Sequence, residues 1–149
     1  MELSIEQALQ QGVAAHRAGK LQDAERFYRA ILQSQPGHPD ANHNMGVLAV
    51  GIGKVNEALP FFKTALEANP KVEQFWLSYI DALIKAEKLV EAQEVLDDAQ
   101  RAGVTKEKLR MFEKGLIFSK PLINEITPEE IVNSQHSHQA ELSVAFKLR

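Results

Sequence analysis

The chain has 149 residues, 44% of them hydrophobic and 25% charged, with a net charge of −3 and no cysteine. These values suit a folded chain of about one domain rather than a disordered one. They exclude disulfides and thiolate metal sites, and the lack of a basic stripe argues against a nucleic-acid partner. No apolar run reaches the roughly 18 residues of a membrane span. The opening MELSIEQALQQ lacks the basic-then-apolar pattern of a secretory leader. A cytoplasmic protein without membrane or nucleic-acid partners is expected.

In chain order, Ser4-x-x-Gln7 is a capping-box pattern. It opens a helix over 4–18, with Ile5, Ala8, Leu9, Gly12, Val13 and His16 spaced by three and four. Gly19-Lys20 ends it. A second helix is predicted over 21–34, with Leu21, Ala24, Phe27, Tyr28, Ile31 and Leu32 as its stripe. Pro36-Gly37-His38-Pro39 breaks it, and Pro39 suits the first turn of the next helix. Helices over 39–51 and 55–68 follow, with Pro60 placed at the end of a first turn as a mild bend. Two more are expected over 71–86 and 89–102, stopped by Gly103. Residues 105–118 read as one further helix, with Thr105 as N-cap. Leu109, Phe112 and Leu116 fall on one face and Lys106, Arg110 and Lys114 on another, as a capping helix needs. Ser119-Lys120-Pro121 is a break, and Thr127-Pro128-Glu129-Glu130 starts a helix predicted from 128 to about 146.

The punctuation recurs every 34 residues. Gly12, Gly19, Ala24, Tyr28 and Pro36 return as Gly46, Gly53, Ala58, Phe62 and Pro70. A period of that length marks a helical solenoid rather than a single globular core. Three repeats are expected at about 4–37, 38–71 and 72–104, together spanning 4–104, then the capping helix 105–118 and a tail 119–149. The third repeat keeps Ala92 and Leu96 but has Ile80, Glu87 and Val104 where glycines and proline stood. A glycine inside a helix costs roughly 0.5–1 kcal/mol relative to alanine. Gly12 and Gly46 therefore point to close helix approach. Ala24, Ala58 and Ala92 are expected as the matching small surface, with Tyr28, Phe62 and Leu96 filling space toward the next repeat.

Met45-Gly46, Ala58-x-x-x-Phe62 and Pro70, with Ala24-x-x-x-Tyr28 and Pro36 before them and Trp76 and Ala92-x-x-x-Leu96 after, resemble the tetratricopeptide repeat. The resemblance implies an all-α, right-handed helical-hairpin solenoid whose first helices line a concave groove for a peptide or partner protein. Carried onto this chain, the family's groove positions are Glu6, Leu9, Gln10, Val13, His16 and Arg17, then Asp40, His43, Asn44, Val47 and Val50, then Gln74, Leu77, Ser78, Asp81, Ile84 and Lys85. Asn44-Met45-Gly46 resembles the repeats of O-linked N-acetylglucosamine transferases, where an asparagine ladder holds an extended peptide. That resemblance implies a polar ladder of Gln10, Asn44 and Ser78, since an amide both donates to and accepts from a backbone; the alternative is that these are solvated polar positions. The cations of the family's carboxylate clamp are missing from the matching positions, which leaves Arg17 and Lys85 as the basic residues for an acidic ligand. The binding set expected from the resemblance is Gln10, Val13, Arg17, His43, Asn44, Val47, Ser78, Asp81 and Lys85.

His136-x-His138 has metal-ligand spacing without further ligands, and His43 lacks a base partner. Asp97-Asp98 and Glu129-Glu130 are adjacent carboxylates that point apart on a helix. No P-loop, nucleophile elbow or dinucleotide fingerprint is present. The expectation is a scaffold that binds a protein or peptide, not an enzyme, with no catalytic residue, metal or cofactor. One alternative is the N-terminal targeting region of a larger glycosyltransferase, sulfotransferase or methyltransferase. Another is a homodimer through residues 119–149.

Overall fold

The computed structural model describes residues 2–119, with side chains as far as Leu116. The predicted helix over 128–146, the His136-x-His138 pair and the tail of the expected homodimer lie outside these residues. The regular structure of the described residues is seven α-helices: α1 Ile5–Arg17, α2 Leu21–Ser34, α3 Pro39–Gly51, α4 Val55–Ala68, α5 Glu73–Lys85, α6 Leu89–Arg101 and α7 Lys106–Ser119. The chain divides into two units, Met1–Glu113 and Lys114–Arg149, and the packing below is that of the first.

The helix starts follow from local chemistry. Ser4 Oγ accepts from the Gln7 N–H at 3.1 Å, and Gln7 Oε1 accepts from the Ser4 N–H at 2.9 Å, completing the capping box. Pro39 opens α3, where its missing N–H loses nothing, and His38 Nδ1 accepts from the Ala41 N–H at 3.1 Å. Pro60 differs from expectation. With α4 starting at Val55, it sits in the second turn rather than at the end of the first. One intrahelical bond is therefore missing, and Pro60 and Asn56 are both exposed, so water can reach the freed carbonyl.

The hairpin turns share one backbone form. Lys20 N–H donates to Ala15 C=O at 2.9 Å, Lys54 to Ala49 at 2.8 Å and Lys88 to Leu83 at 2.9 Å. This is the Schellman closure, which needs a left-handed residue just past the helix. Gly19 and Gly53 supply it at φ +77° and +82°. In the third repeat Glu87 takes the same conformation at φ +60°. The lost glycine changes the side chain and keeps the turn.

The helices stack in two layers. First helices touch in succession, α1 on α3 and α3 on α5; α2 packs between α1 and α3, α4 between α3 and α5, and α6 against α5. The buried core runs through this stack: Ala24, Tyr28, Met45 and Leu48 form one cluster, Ala8, Ile31 and Ala41 a second, and Ala65, Leu66 and Phe75 a third. At the far end Leu109 and Phe112 of α7 are buried. Lys108 of α7 pairs with Glu73 of α5, and Gln100 of α6 donates to Glu113 Oε1 at 3.2 Å.

The helical glycines meet aromatic rings. A Cβ on Gly46 would lie 2.5 Å from Phe62 Cε1, and one on Gly12 would lie 2.6 Å from Tyr28 Cε1. Among the nearest neighbours of that hypothetical Cβ are ring atoms of Tyr28 and Phe62, not the alanines expected to match it. In the third repeat both members change. Ile80 stands at the glycine position and Leu96 at the ring position, both buried. A larger residue at the glycine position is thus accompanied by a smaller one at the ring position, as a close-packed interior requires.

Candidate functional site

The first helices α1, α3 and α5 present the expected binding residues. The best-organised group is at the junction of α3 and α5. His43 Nε2 lies 2.8 Å from Ser78 Oγ, and Gln74 Nε2 donates to the same hydroxyl at 3.0 Å. The His43 ring sits 4.9 Å from Phe75 and 5.5 Å from Phe62, centroid to centroid. Burial lowers the His43 pKa below its ordinary 6.5; the Asn44 side chain and the Asp40 carboxylate pull the other way. A half-buried, neutral imidazole then has one nitrogen to donate and one to accept. Ser78 is thus already engaged on two sides, and its hydroxyl keeps one further hydrogen-bonding site for a ligand.

The remaining residues are less connected. Gln10 is exposed and Asn44 half-buried. Val13 packs against the core cluster around Tyr28, and Val47 is 38% exposed. At the C-terminal end of α1, His16 Nδ1 is 3.3 Å from the Tyr28 hydroxyl. Burial raises the Tyr28 pKa, partly offset by the Arg17 charge nearby. At the matching end of α5, Lys85 Nζ pairs with Asp81 at 2.8 Å. Of the two basic residues expected for an acidic ligand, Lys85 therefore has a partner at hand. That exposed pair is worth only about 0–1 kcal/mol, so a carboxylate ligand could displace it. Among the described residues, no group of three or more His, Cys, Asp or Glu side chains is placed to hold a metal ion. No helix there is long and apolar enough to cross a membrane.

A feature that sequence reasoning missed lies on another side. A cleft of about 460 Å³ opens between α4, α5 and α6, with Trp76 and Tyr79 of α5 among its lining. Trp76 Nε1 donates to the Pro70 carbonyl at 2.8 Å. One repeat earlier, Asn42 Nδ2 donates to the Pro36 carbonyl at 2.9 Å. The indole thus repeats the amide's tie to the closing proline while adding an aromatic surface.

Helical hairpins stacked at a 34-residue period, with a glycine packed on an aromatic ring in two of them, define an all-α repeat scaffold. The chain belongs to the tetratricopeptide repeat family, whose profiles match residues 8–39 and 49–111. Solved structures of that fold are similar. The TPR2B domain of yeast Sti1, in its pHsp70 complex, has a TM-score of 0.70 at 16% identity, covering 78% of this chain and 98% of that one. The first tetratricopeptide domain of Spaghetti, bound to the HSP90 peptide SRMEEVD, has a TM-score of 0.66 at 17% identity, covering 74% and 89%. An O-GlcNAc transferase of Thermobaculum terrenum has a TM-score of 0.60 at 20% identity, covering 69% of this chain and 21% of that one. A comparison with the curated proteins gives no match.

Proposed function

We propose that this chain is a non-catalytic interaction module that holds an extended peptide or a partner protein along its first-helix face. Residues 4–37, 38–71 and 72–104 are its three repeats, and 105–118 its cap. The observation that carries the reading is the His43–Ser78–Gln74 cluster. It places donors and acceptors, backed by Phe75 and Phe62, where two adjacent first helices meet. Such a cluster can bond a peptide backbone without reading its side chains. Gln10, Asn44 and Val47 extend the surface, and Val13 supports it from below. Arg17 sits at one end of the face, and the exchangeable Asp81–Lys85 pair at the other. Complexes of proteins with this fold, yeast Sti1 with pHsp70 and Spaghetti with an HSP90 peptide, support the reading.

The test is a pull-down comparing wild type with a Gln10, Asn44, Ser78 triple alanine variant. All three positions are exposed or half-buried, so the variant is expected to fold. Partners recovered by wild type should be lost or strongly depleted with the variant. Recovery of the same partners at the same yield would overturn the proposal.

A further inference from the structure

None of the residues proposed for first-helix binding lines the cleft between α4 and α6. Trp76 and Tyr79 of α5 line it, with Glu67 contributed by α4 and Glu91, Glu94 and Asp98 by α6. Lys63 is the one cation in the lining. Asp98 is paired with Arg101, whereas Glu67, Glu91 and Glu94 have no ion-pair partner within 4.0 Å among the described residues. Burial, followed by the charges of Glu91 and Glu67, raises the Tyr79 pKa, so the negative potential reaches the tyrosine.

The repeat period explains why the cleft arises here. One repeat earlier, the positions of Trp76 and Tyr79 hold Asn42 and Met45, both buried. Phe61 packs there against the cluster of Ala24, Tyr28, Met45 and Leu48. One repeat later Val95 stands in place of Phe61, and the smaller side chain leaves room. Over the same step Gln33, Pro60 and Thr64 become Glu67, Glu94 and Asp98. The second junction therefore has Val95 in place of Phe61, the added rings of Trp76 and Tyr79, and three more carboxylates than the first.

We propose that this cleft docks a basic segment of a partner protein, with an arginine or lysine side chain against Trp76 and Tyr79 and its charge between Glu67 and Glu94. An aromatic surface next to unpaired carboxylates suits a cation that keeps an apolar stem. The cleft volume lies within the usual range of sites that enclose a ligand group, about 300–1,000 Å³. The site is separate from the first-helix face, so one partner engaging both gains avidity without new contacts at either.

Trp76 is the sole tryptophan in the chain, so its indole N–H resonance reports on the cleft alone. The experiment titrates the full chain, at low salt, with the capped peptide Gly-Ser-Arg-Arg-Ser-Gly and with Gly-Ser-Glu-Glu-Ser-Gly. The basic peptide should shift the Trp76 resonance saturably, and the acidic one should not. Glu67→Gln and Glu94→Gln, singly and together, should weaken the basic peptide, roughly three- to tenfold for the pair. Both glutamates are exposed, so the variants should melt as wild type does. The triple alanine variant of the first-helix face should bind the basic peptide unchanged, which separates this site from the peptide groove. No saturable shift, an equal shift by the acidic peptide, or an unchanged affinity in the glutamine variants would overturn the proposal.

Discussion

Gly46→Ala is the sharpest probe of the packing that defines the repeat. The added Cβ would fall 2.5 Å, 2.7 Å and 2.8 Å from Phe62 Cε1, Cδ1 and Cζ. Phe62 is only 2% exposed and lies beside His43, so the ring has little room to retreat. Overpacking of this kind costs about 1–3 kcal/mol. Alanine in place of a mid-helix glycine returns roughly 0.5–1 kcal/mol. The net expectation is a loss of about 1 kcal/mol, or roughly 4 °C in melting temperature for a chain of this size. The decisive step is to repeat the substitution in a Phe62→Leu background. Leucine there reproduces the ring position of the third repeat, where Leu96 is buried and Ile80 stands at the glycine position. With the ring gone, only the helix-propensity gain remains, and Gly46→Ala should stabilise by about 0.5–1 kcal/mol. Thermal unfolding followed by circular dichroism gives both numbers, and the cycle should show coupling of about 1–3 kcal/mol. If Gly46→Ala raises the melting temperature in both backgrounds, the glycine is not there for the ring, and the packing account fails.

Two further outcomes follow from the same geometry. Burial depresses the His43 pKa in the folded state, so the unfolded chain takes up the proton more readily. The neutral ring's contribution is therefore full above about pH 6.5 and is lost as pH falls through the folded pKa. His43→Gln should flatten the drop in melting temperature between pH 7 and pH 5, and parallel slopes in the two proteins would refute this. Glu87 is held at φ +60°, a conformation costing a side-chain-bearing residue about 1–2 kcal/mol. Glu87→Gly should relieve it and, after the extra chain entropy glycine brings, raise stability by about 0.5–1 kcal/mol in chemical denaturation. A destabilised variant would show that the Glu87 side chain, not the turn, matters.

The fold was legible because its constraints are local and periodic. Glycines, alanines, aromatics and prolines recur at one spacing, and most helices carry a start or stop signal of their own, α5 being the exception. The glycine's true neighbour was harder to read. Gly46 and Ala58 recur together, yet the ring four residues beyond Ala58 is what reaches it, because a side chain's direction on a helix sets contact as much as spacing does. The polar row was visible as Gln10, Asn44 and Ser78, one rung per repeat. The contact observed runs from His43 to Ser78, an offset of 35 rather than 34, so it crosses between rungs. The cleft lined by Trp76 and Tyr79 escaped notice for a related reason. Its signal was present in the steps from Gln33 to Glu67 and from Phe61 to Val95. Which faces of α4 and α6 converge, however, depends on how the repeats pack.

The most direct test of the central claim is amide chemical-shift mapping of the full chain with a peptide from a partner captured in the pull-down. The account predicts perturbations concentrated on α1, α3 and α5, including Gln10, His43, Asn44 and Ser78, and their loss in the triple alanine variant. Perturbations confined to α2, α4 and α6, with His43 and Ser78 unmoved, would contradict it.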